Sequence, residues 1–124
     1  MKFFINRTTK EIIEVVLGND TAFTSEGSEM VELKANSTDA AGEKHVPVIT
    51  VEGNKVHVVV GSVLHPMTEE HSIQFIALET KQGVQRKALL PTDQPVADFV
   101  LAEGDEVVAA YEYCNLHGLW KAEA

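Results

Sequence analysis

The chain has 124 residues and a formal net charge of −9; the length suits one compact domain with a small appendage, and the charge excludes nucleic acid as an expected partner. Its one cysteine, Cys114, cannot form an intramolecular disulfide and favours a reducing compartment. No apolar run approaches the roughly 20 residues that span a bilayer, and the N-terminus lacks a signal-peptide cleavage site, so we expect a cytoplasmic protein without a membrane partner.

Short strands separated by turn residues dominate the pattern. The run VITVEGNKVHVVVG predicts two β-branched strands joined by a hairpin turn at Gly53-Asn54. No helix longer than a turn or two is predicted. Several short strands at this spacing predict an all-β fold, an antiparallel β-sandwich. Further strands are predicted at Lys10–Val16, Ile73–Glu79, Gln85–Leu90, Val96–Leu101 and Val107–Tyr113.

A polar stretch of small residues, ANSTDAAG at positions 35–42, separates a weakly patterned N-terminal third from a well-patterned remainder. We predict a domain boundary in this stretch. The first part, residues 1–36, is too small for a substantial core of its own. We expect it to pack against the main domain, residues 37–124, or against a partner subunit.

Four of the five histidines lie beside a turn or at a strand end, namely His45, His65, His71 and His117. Side chains at such positions can converge on one point while the sheets hold them rigid. A single histidine at a strand end is most often only a polar surface residue, so the interpretation depends on the group. His57 alternates with valines in mid-strand, and we assign it to the solvent face.

Cys114 and His117 form a Cys-x-x-His pair, whose tight turn can present a thiolate and an imidazole to one ion. Structural zinc prefers four tetrahedral ligands, and blue copper uses two histidines, one cysteine and a weak axial group. Four nitrogens and one sulfur exceed both sets and resemble the ligand field of a thiolate haem without its porphyrin, which favours iron with one open position. Tyr113 and Trp120 flank this turn, and we expect them to pack around the site.

Four motifs in order along the chain carry a family resemblance: EKHVPVI from Glu43, GSVLHPM from Gly61, EHSIQ from Glu70 and YCNLHGLWK from Tyr113. Together they resemble superoxide reductase, in its desulfoferrodoxin and neelaredoxin forms, over essentially the whole chain. The resemblance implies an immunoglobulin-like β-sandwich with a small N-terminal β segment. It implies the one-electron reduction of superoxide to hydrogen peroxide at a mononuclear non-haem iron, with rubredoxin or a similar protein as electron donor, and a homodimer.

The resemblance also implies a role for each residue of the site. The axial iron ligand matches Cys114. Glu43 matches a glutamate that can close the sixth coordination position in the ferric state, and Lys44 matches a lysine beside the open site. The four equatorial ligands match His45, His65, His71 and His117.

Part of the family carries a second iron in an N-terminal desulforedoxin-like segment, where four cysteines hold it. We therefore expect one iron and no second iron centre of the four-cysteine kind in this chain, with residues 1–36 kept as a structural or dimerising module. The positions of the four cysteines are taken here by Asn6, Thr9, Ser25 and Glu26.

Rival functions stay open at this point. One is a non-enzymatic metal module, either an electron carrier or a structural zinc site in a β-sandwich. Another is an immunoglobulin-like interaction domain without metal, and a third is an iron enzyme that acts on another small substrate such as nitric oxide. Lys44 next to Glu43 is also what a solvated polar loop contains.

Overall fold

The computed structural model describes residues 1–19 and 22–124. The chain divides into two compact units, Met1–Lys34 and Ala35–Ala124. Strands and turns make up almost all of both, and in the described residues the only α-helix is a single turn, α1 (Gly42–His45). The predicted all-β fold is confirmed. No helix in the described part of the chain is long and apolar enough to cross a membrane.

The described residues of the first unit form five short strands: β1 (Phe3–Ile5), β2 (Ile12–Glu14), β3 (Thr24–Ser25), β4 (Ser28–Glu29) and β5 (Val31–Leu33). β1 lies between β2 and β5 in an antiparallel sheet, while β3 and β4 form a separate hairpin. The strand predicted at Lys10–Val16 is shorter than expected. It begins at Ile12 because Lys10 adopts a φ of 68°, outside the extended region.

The second unit contains two antiparallel sheets with seven strands, the number found in constant-type immunoglobulin domains. One sheet has the order β10-β7-β6 and the other the order β12-β11-β8-β9. Buried residues from β7 and β10 share one hydrophobic core with buried residues from β8 and β11. The strands are β6 (Pro47–Glu52), β7 (Lys55–Val60), β8 (Ile73–Thr80), β9 (Val84–Ala88), β10 (Val96–Val100), β11 (Val107–Cys114) and β12 (Gly118–Glu123).

The predicted hairpin is confirmed, since Glu52 pairs with Lys55 and Gly53 takes the positive φ of 63° that the turn requires. Val56, Val58 and Val60 are fully buried, as alternation along a strand predicts. The other predicted strands of this unit are present with ends moved by one or two residues. β12 was not predicted, because GLWKAE does not alternate cleanly between apolar and polar residues.

Candidate metal centre

The five side chains predicted to bind metal come from four separate places in the second unit. His45 is the last residue of α1, His65 follows the turn after β7, and His71 precedes β8. Cys114 ends β11, and His117 lies in the turn that leads into β12. Strand ends, turns and the single-turn helix α1 therefore hold the five side chains.

The four imidazoles form a closed ring in the order His45, His65, His71, His117. Neighbouring ring centroids are 4.8, 4.5, 5.2 and 4.8 Å apart around this circuit, and each neighbouring pair meets edge to face. The centroids of His45 and His71 are 6.5 Å apart, which makes these two rings opposite corners. His65 and His117 take the other two corners. Imidazoles at four such corners can supply four nitrogens to one metal ion.

The thiol of Cys114 lies beside these imidazoles and is fully buried. Its Sγ is 3.6 Å from Nε2 of His65 and 3.9 Å from Nδ1 of His117. These two nitrogens belong to opposite corners, so the sulfur lies close to the plane midway between them. From there the thiol can reach the same ion as the imidazoles.

Hydrogen bonds fix which nitrogen two of the histidines present. Nδ1 of His45 donates to the carbonyl of Ala41 at 2.8 Å, and Nδ1 of His65 donates to the carbonyl of Pro66 at 2.6 Å. Because a carbonyl only accepts, each Nδ1 carries the proton and each Nε2 keeps a free lone pair. Such carbonyl partners are a common feature of metal-bound histidines.

The residues fit a bound metal ion. One ligand atom from each of His45, His65, His71 and Cys114 lies within 4.8 Å of all the others. His117 is not one of these four, but its Nδ1 lies 3.1 Å from Nε2 of His45. Metal–nitrogen bonds of about 2.1 Å at right angles would place adjacent nitrogens about 3 Å apart. Nε2 of His71 is buried without a hydrogen-bond partner, and a metal ion would satisfy it.

Burial lowers the pKa of three of these imidazoles. Desolvation is the main cause for His45 and His71, and it lowers the pKa of His65 to about 4. The rings therefore stay neutral near pH 7, as metal binding requires. Burial also raises the pKa of the Cys114 thiol, against the opposing effect of hydrogen bonds from nearby backbone N–H groups. A metal ion would supply the charge that converts this thiol to a thiolate.

The two predicted catalytic residues lie on α1, and both are exposed. The positive charge of Lys44 contributes to the lowered pKa of His45 and of His71, so this charge acts on the site. The backbone carbonyl of Glu43 accepts hydrogen bonds from the turn after β7. Within residues 1–19 and 22–124, no hydrogen bond joins the Glu43 carboxylate to the imidazoles.

The surroundings of the centre contain one expected and two unexpected residues. The Trp120 ring stacks on His45 at 5.0 Å, and its Nε1 donates to the His117 carbonyl at 3.1 Å. The sequence did not predict a role at the centre for Gly61 or Asn115. A Cβ on Gly61 would lie 2.6 Å from the carbonyl oxygen of Glu43, so only glycine lets α1 approach the end of β7.

His57 lies outside the centre, as predicted. It is exposed on β7, and its Nδ1 is 2.6 Å from Oδ1 of Asp98 on the neighbouring strand. Its place in mid-strand on the outer face of the sheet keeps it from the strand ends where the other histidines meet.

Residues 37–123 match the family model described as Desulfoferrodoxin. The chain is 41% identical over 123 residues to the desulfoferrodoxin of Clostridium acetobutylicum, covering 99% of this chain and 96% of that one. It is 35% identical to the superoxide reductase of Pyrococcus furiosus, covering 76% of this chain and 97% of that one. The solved structure of superoxide reductase from Treponema pallidum matches with a TM-score of 0.86 and 37% identity, covering 98% of both chains.

Proposed function

Because the chain belongs to the desulfoferrodoxin family, we propose that it is a superoxide reductase with one mononuclear non-haem iron. The ligands are the four imidazoles of the closed ring and the thiolate of Cys114. The observation that carries this proposal is the ring itself, with a buried thiol beside it. This donor set exceeds the four ligands of structural zinc and leaves room for a small molecule.

When bound, iron would alternate between its ferrous and ferric states and so transfer one electron at a time. The net reaction joins one superoxide, one electron and two protons into one hydrogen peroxide. The protein's part is to hold the donors ready. The carbonyls of Ala41 and Pro66 fix the tautomers of His45 and His65, and burial keeps water from the Cys114 sulfur.

Lys44 supplies the local positive field that an anionic substrate needs on a chain of net charge −9. Two opposite charges 4 Å apart attract by about 4 kcal/mol at intermediate dielectric. Surface carboxylates farther than roughly 8–10 Å from the centre repel superoxide only weakly, because salt screens charges over that distance. Lys44 therefore draws superoxide to the centre, and its ammonium orders the water that provides protons. Glu43, its neighbour on α1, would supply a carboxylate to the iron in its ferric state.

Residues 1–36 form the desulforedoxin-like segment of this protein without its iron, and residues 37–124 form the catalytic domain. Support comes from Asn6, whose side chain stands at one of the four cysteine positions. Its Oδ1 accepts hydrogen bonds from the N–H groups of Thr8 and Thr9, and its Nδ2 donates to the carbonyl of Ser25, at a second such position. An amide therefore joins two places that a metal ion joins elsewhere in the family.

An external one-electron donor must reduce the ferric site again, and a small rubredoxin-like protein is the proposed partner. Leu64 and Leu116, each adjacent to a ligand histidine, are exposed and offer apolar contact to such a protein. The proposed assembly is a homodimer formed through the first unit, where Val16 and Leu17 are almost fully exposed. The proposed location is the cytoplasm, where reduced electron donors are available.

The test is metal analysis joined to product stoichiometry. Protein loaded with ferrous iron should contain one iron per chain and, after oxidation, should show a ferric thiolate band that bleaches on reduction. After a pulse of superoxide it should form one hydrogen peroxide per superoxide consumed and release no oxygen. Release of one oxygen per two superoxide ions would instead identify a dismutase, and a colourless protein that prefers zinc would favour a structural module.

A further inference from the structure

His71 is held differently from the two histidines whose rings bind backbone carbonyls. In the described part of the chain, no hydrogen bond fixes the His71 ring, and its buried Nε2 has no partner. The His71 imidazole must nevertheless point towards the centre to bind a metal ion. With its ring unbound, the direction of this imidazole depends on the backbone from which it projects.

The Asn115 side chain binds the backbone on both sides of His71, while Thr68 binds the N–H and the carbonyl of His71 itself. Nδ2 of Asn115 donates to the carbonyl of Glu70 at 2.9 Å, and Oδ1 accepts from the N–H of Ser72 at 3.0 Å. The first group belongs to the peptide bond before His71 and the second to the peptide bond after it. Together the two hydrogen bonds restrain both peptide planes that meet at the His71 Cα, and so its φ and ψ.

The ladder between β8 and β11 explains why a side chain has this role. Regular pairing of the two strands shifts between Tyr113 and Cys114, and Cys114 pairs with Ile73 at its end. Beyond that point the chain must turn so that His117 can face the centre. A carboxamide has the donor and acceptor of a peptide group, so the Asn115 side chain adds two hydrogen bonds to the one that its backbone N–H donates to the Ser72 carbonyl, past the end of the regular ladder.

We propose that Asn115 is a positioning residue that sets the approach of His71 to the metal. It touches neither the substrate nor the reacting atoms and acts through His71 alone. The inference rests on the ligand set of the proposed function. Partners of this kind outside the ligand set typically change metal affinity or activity by about 10–100-fold.

The chain offers a matched control in Asn36. Its Nδ2 donates to the carbonyl of Lys121 at 3.1 Å, and its Oδ1 accepts from the N–H of the same residue at 2.8 Å. Asn36 thus makes the same pair of amide-to-backbone hydrogen bonds, but on a strand segment without a metal ligand. A general loss of stability should lower the metal affinity of Asn36→Ala and Asn115→Ala alike. A misplaced His71 ring should lower the metal affinity of Asn115→Ala only.

The experiment measures the affinity of metal-free protein for Co²⁺ by its absorption spectrum. We expect Asn115→Ala to weaken binding by at least about tenfold and Asn36→Ala to leave it within about twofold, the loss being specific to the His71 segment. NMR of the metal-free protein should also show weaker cross-relaxation between the His65 and His71 rings, now 4.5 Å apart, only in Asn115→Ala. Equal affinity losses in both variants would overturn the inference.

A double-mutant cycle tests whether the effect passes through His71. In a His71→Ala background, Asn115→Ala should change Co²⁺ affinity by less than about twofold, because the imidazole that Asn115 positions is absent. The same loss in both backgrounds would show that Asn115 acts elsewhere. If Asn115→Ala does not fold, Asn115→Leu, which has a similar shape, adds no charge and loses both hydrogen bonds, takes its place in the cycle. Co²⁺ binding does not involve superoxide, so failure of the proposed reaction would leave this result standing.

Discussion

Nε2 of His45 and Nδ1 of His117 lie 3.1 Å apart, although 72 positions separate the two residues in sequence. The two rings present different nitrogens for a local reason. His45 stands on α1 with Nδ1 bound to a backbone carbonyl, so its far nitrogen reaches the centre. His117 lies in the tight turn after Cys114, where the ring is already close and its near nitrogen faces inward.

Removal of one corner of the ring should release the metal. We expect His117→Ala to lower the affinity for ferrous iron by more than about 100-fold, because one of the proposed ligands is lost. His57→Ala is the control, since His57 is exposed and bound to Asp98. Equilibrium titration against a chelator measures both variants. Equal affinities would exclude His117 from the ligand set.

Lys44→Ala should slow the second-order reaction with superoxide by roughly tenfold at low salt. The variant should also show a flatter dependence of the rate on ionic strength, because the attraction that salt screens has been removed. Lys55→Ala removes the same charge from the hairpin end of β7, at the other end of that strand from the centre, and should leave the rate nearly unchanged. Pulse radiolysis over a range of salt concentrations makes the comparison. Parallel salt dependences would remove Lys44 from this role.

The sequence was enough to predict the β-strands with strong alternation and to single out the residues that the structure brings together, His45, His65, His71 and Cys114. Both follow from local composition: buried valines alternate along β7, and histidine and cysteine are scarce enough to stand out. The strand β12 and the roles of Gly61 and Asn115 were not predictable in this way. Each depends on a residue far away in sequence, and neither a close backbone approach nor an amide that spans two peptide groups leaves a pattern of its own.

Gly61→Ala should weaken the centre without touching a ligand. The new methyl group would lie 2.6 Å from the Glu43 carbonyl and 3.0 Å from the Val46 carbonyl, so α1 would have to move and take His45 with it. We expect a loss of about 1–3 kcal/mol in the free energy of unfolding together with weaker iron binding. Gly83→Ala is the control, because a Cβ added at Gly83 would meet no atom within 4 Å. Chemical denaturation and metal titration measure the two variants. Equal free energies of unfolding and equal iron affinities would disprove the steric argument.

The buried carboxyl of Glu112 should make the metal-free protein lose stability as the pH rises. Glu112 is fully buried on β11, neither of its oxygens has a partner, and burial raises its pKa to about 9. From about pH 7, above which His45, His65 and His71 are largely neutral in both states, to about pH 9 the folded chain therefore holds a Glu112 proton that the unfolded chain has released. The free energy of unfolding should fall with pH in this window by at most about 1.4 kcal/mol per pH unit. Glu112→Gln has no such proton and should show a flatter profile, while Glu52→Gln, on an exposed residue of β6, should keep the wild-type slope. Urea unfolding at several pH values measures the three slopes, and one slope common to all three would mean that Glu112 is already ionised in the folded protein.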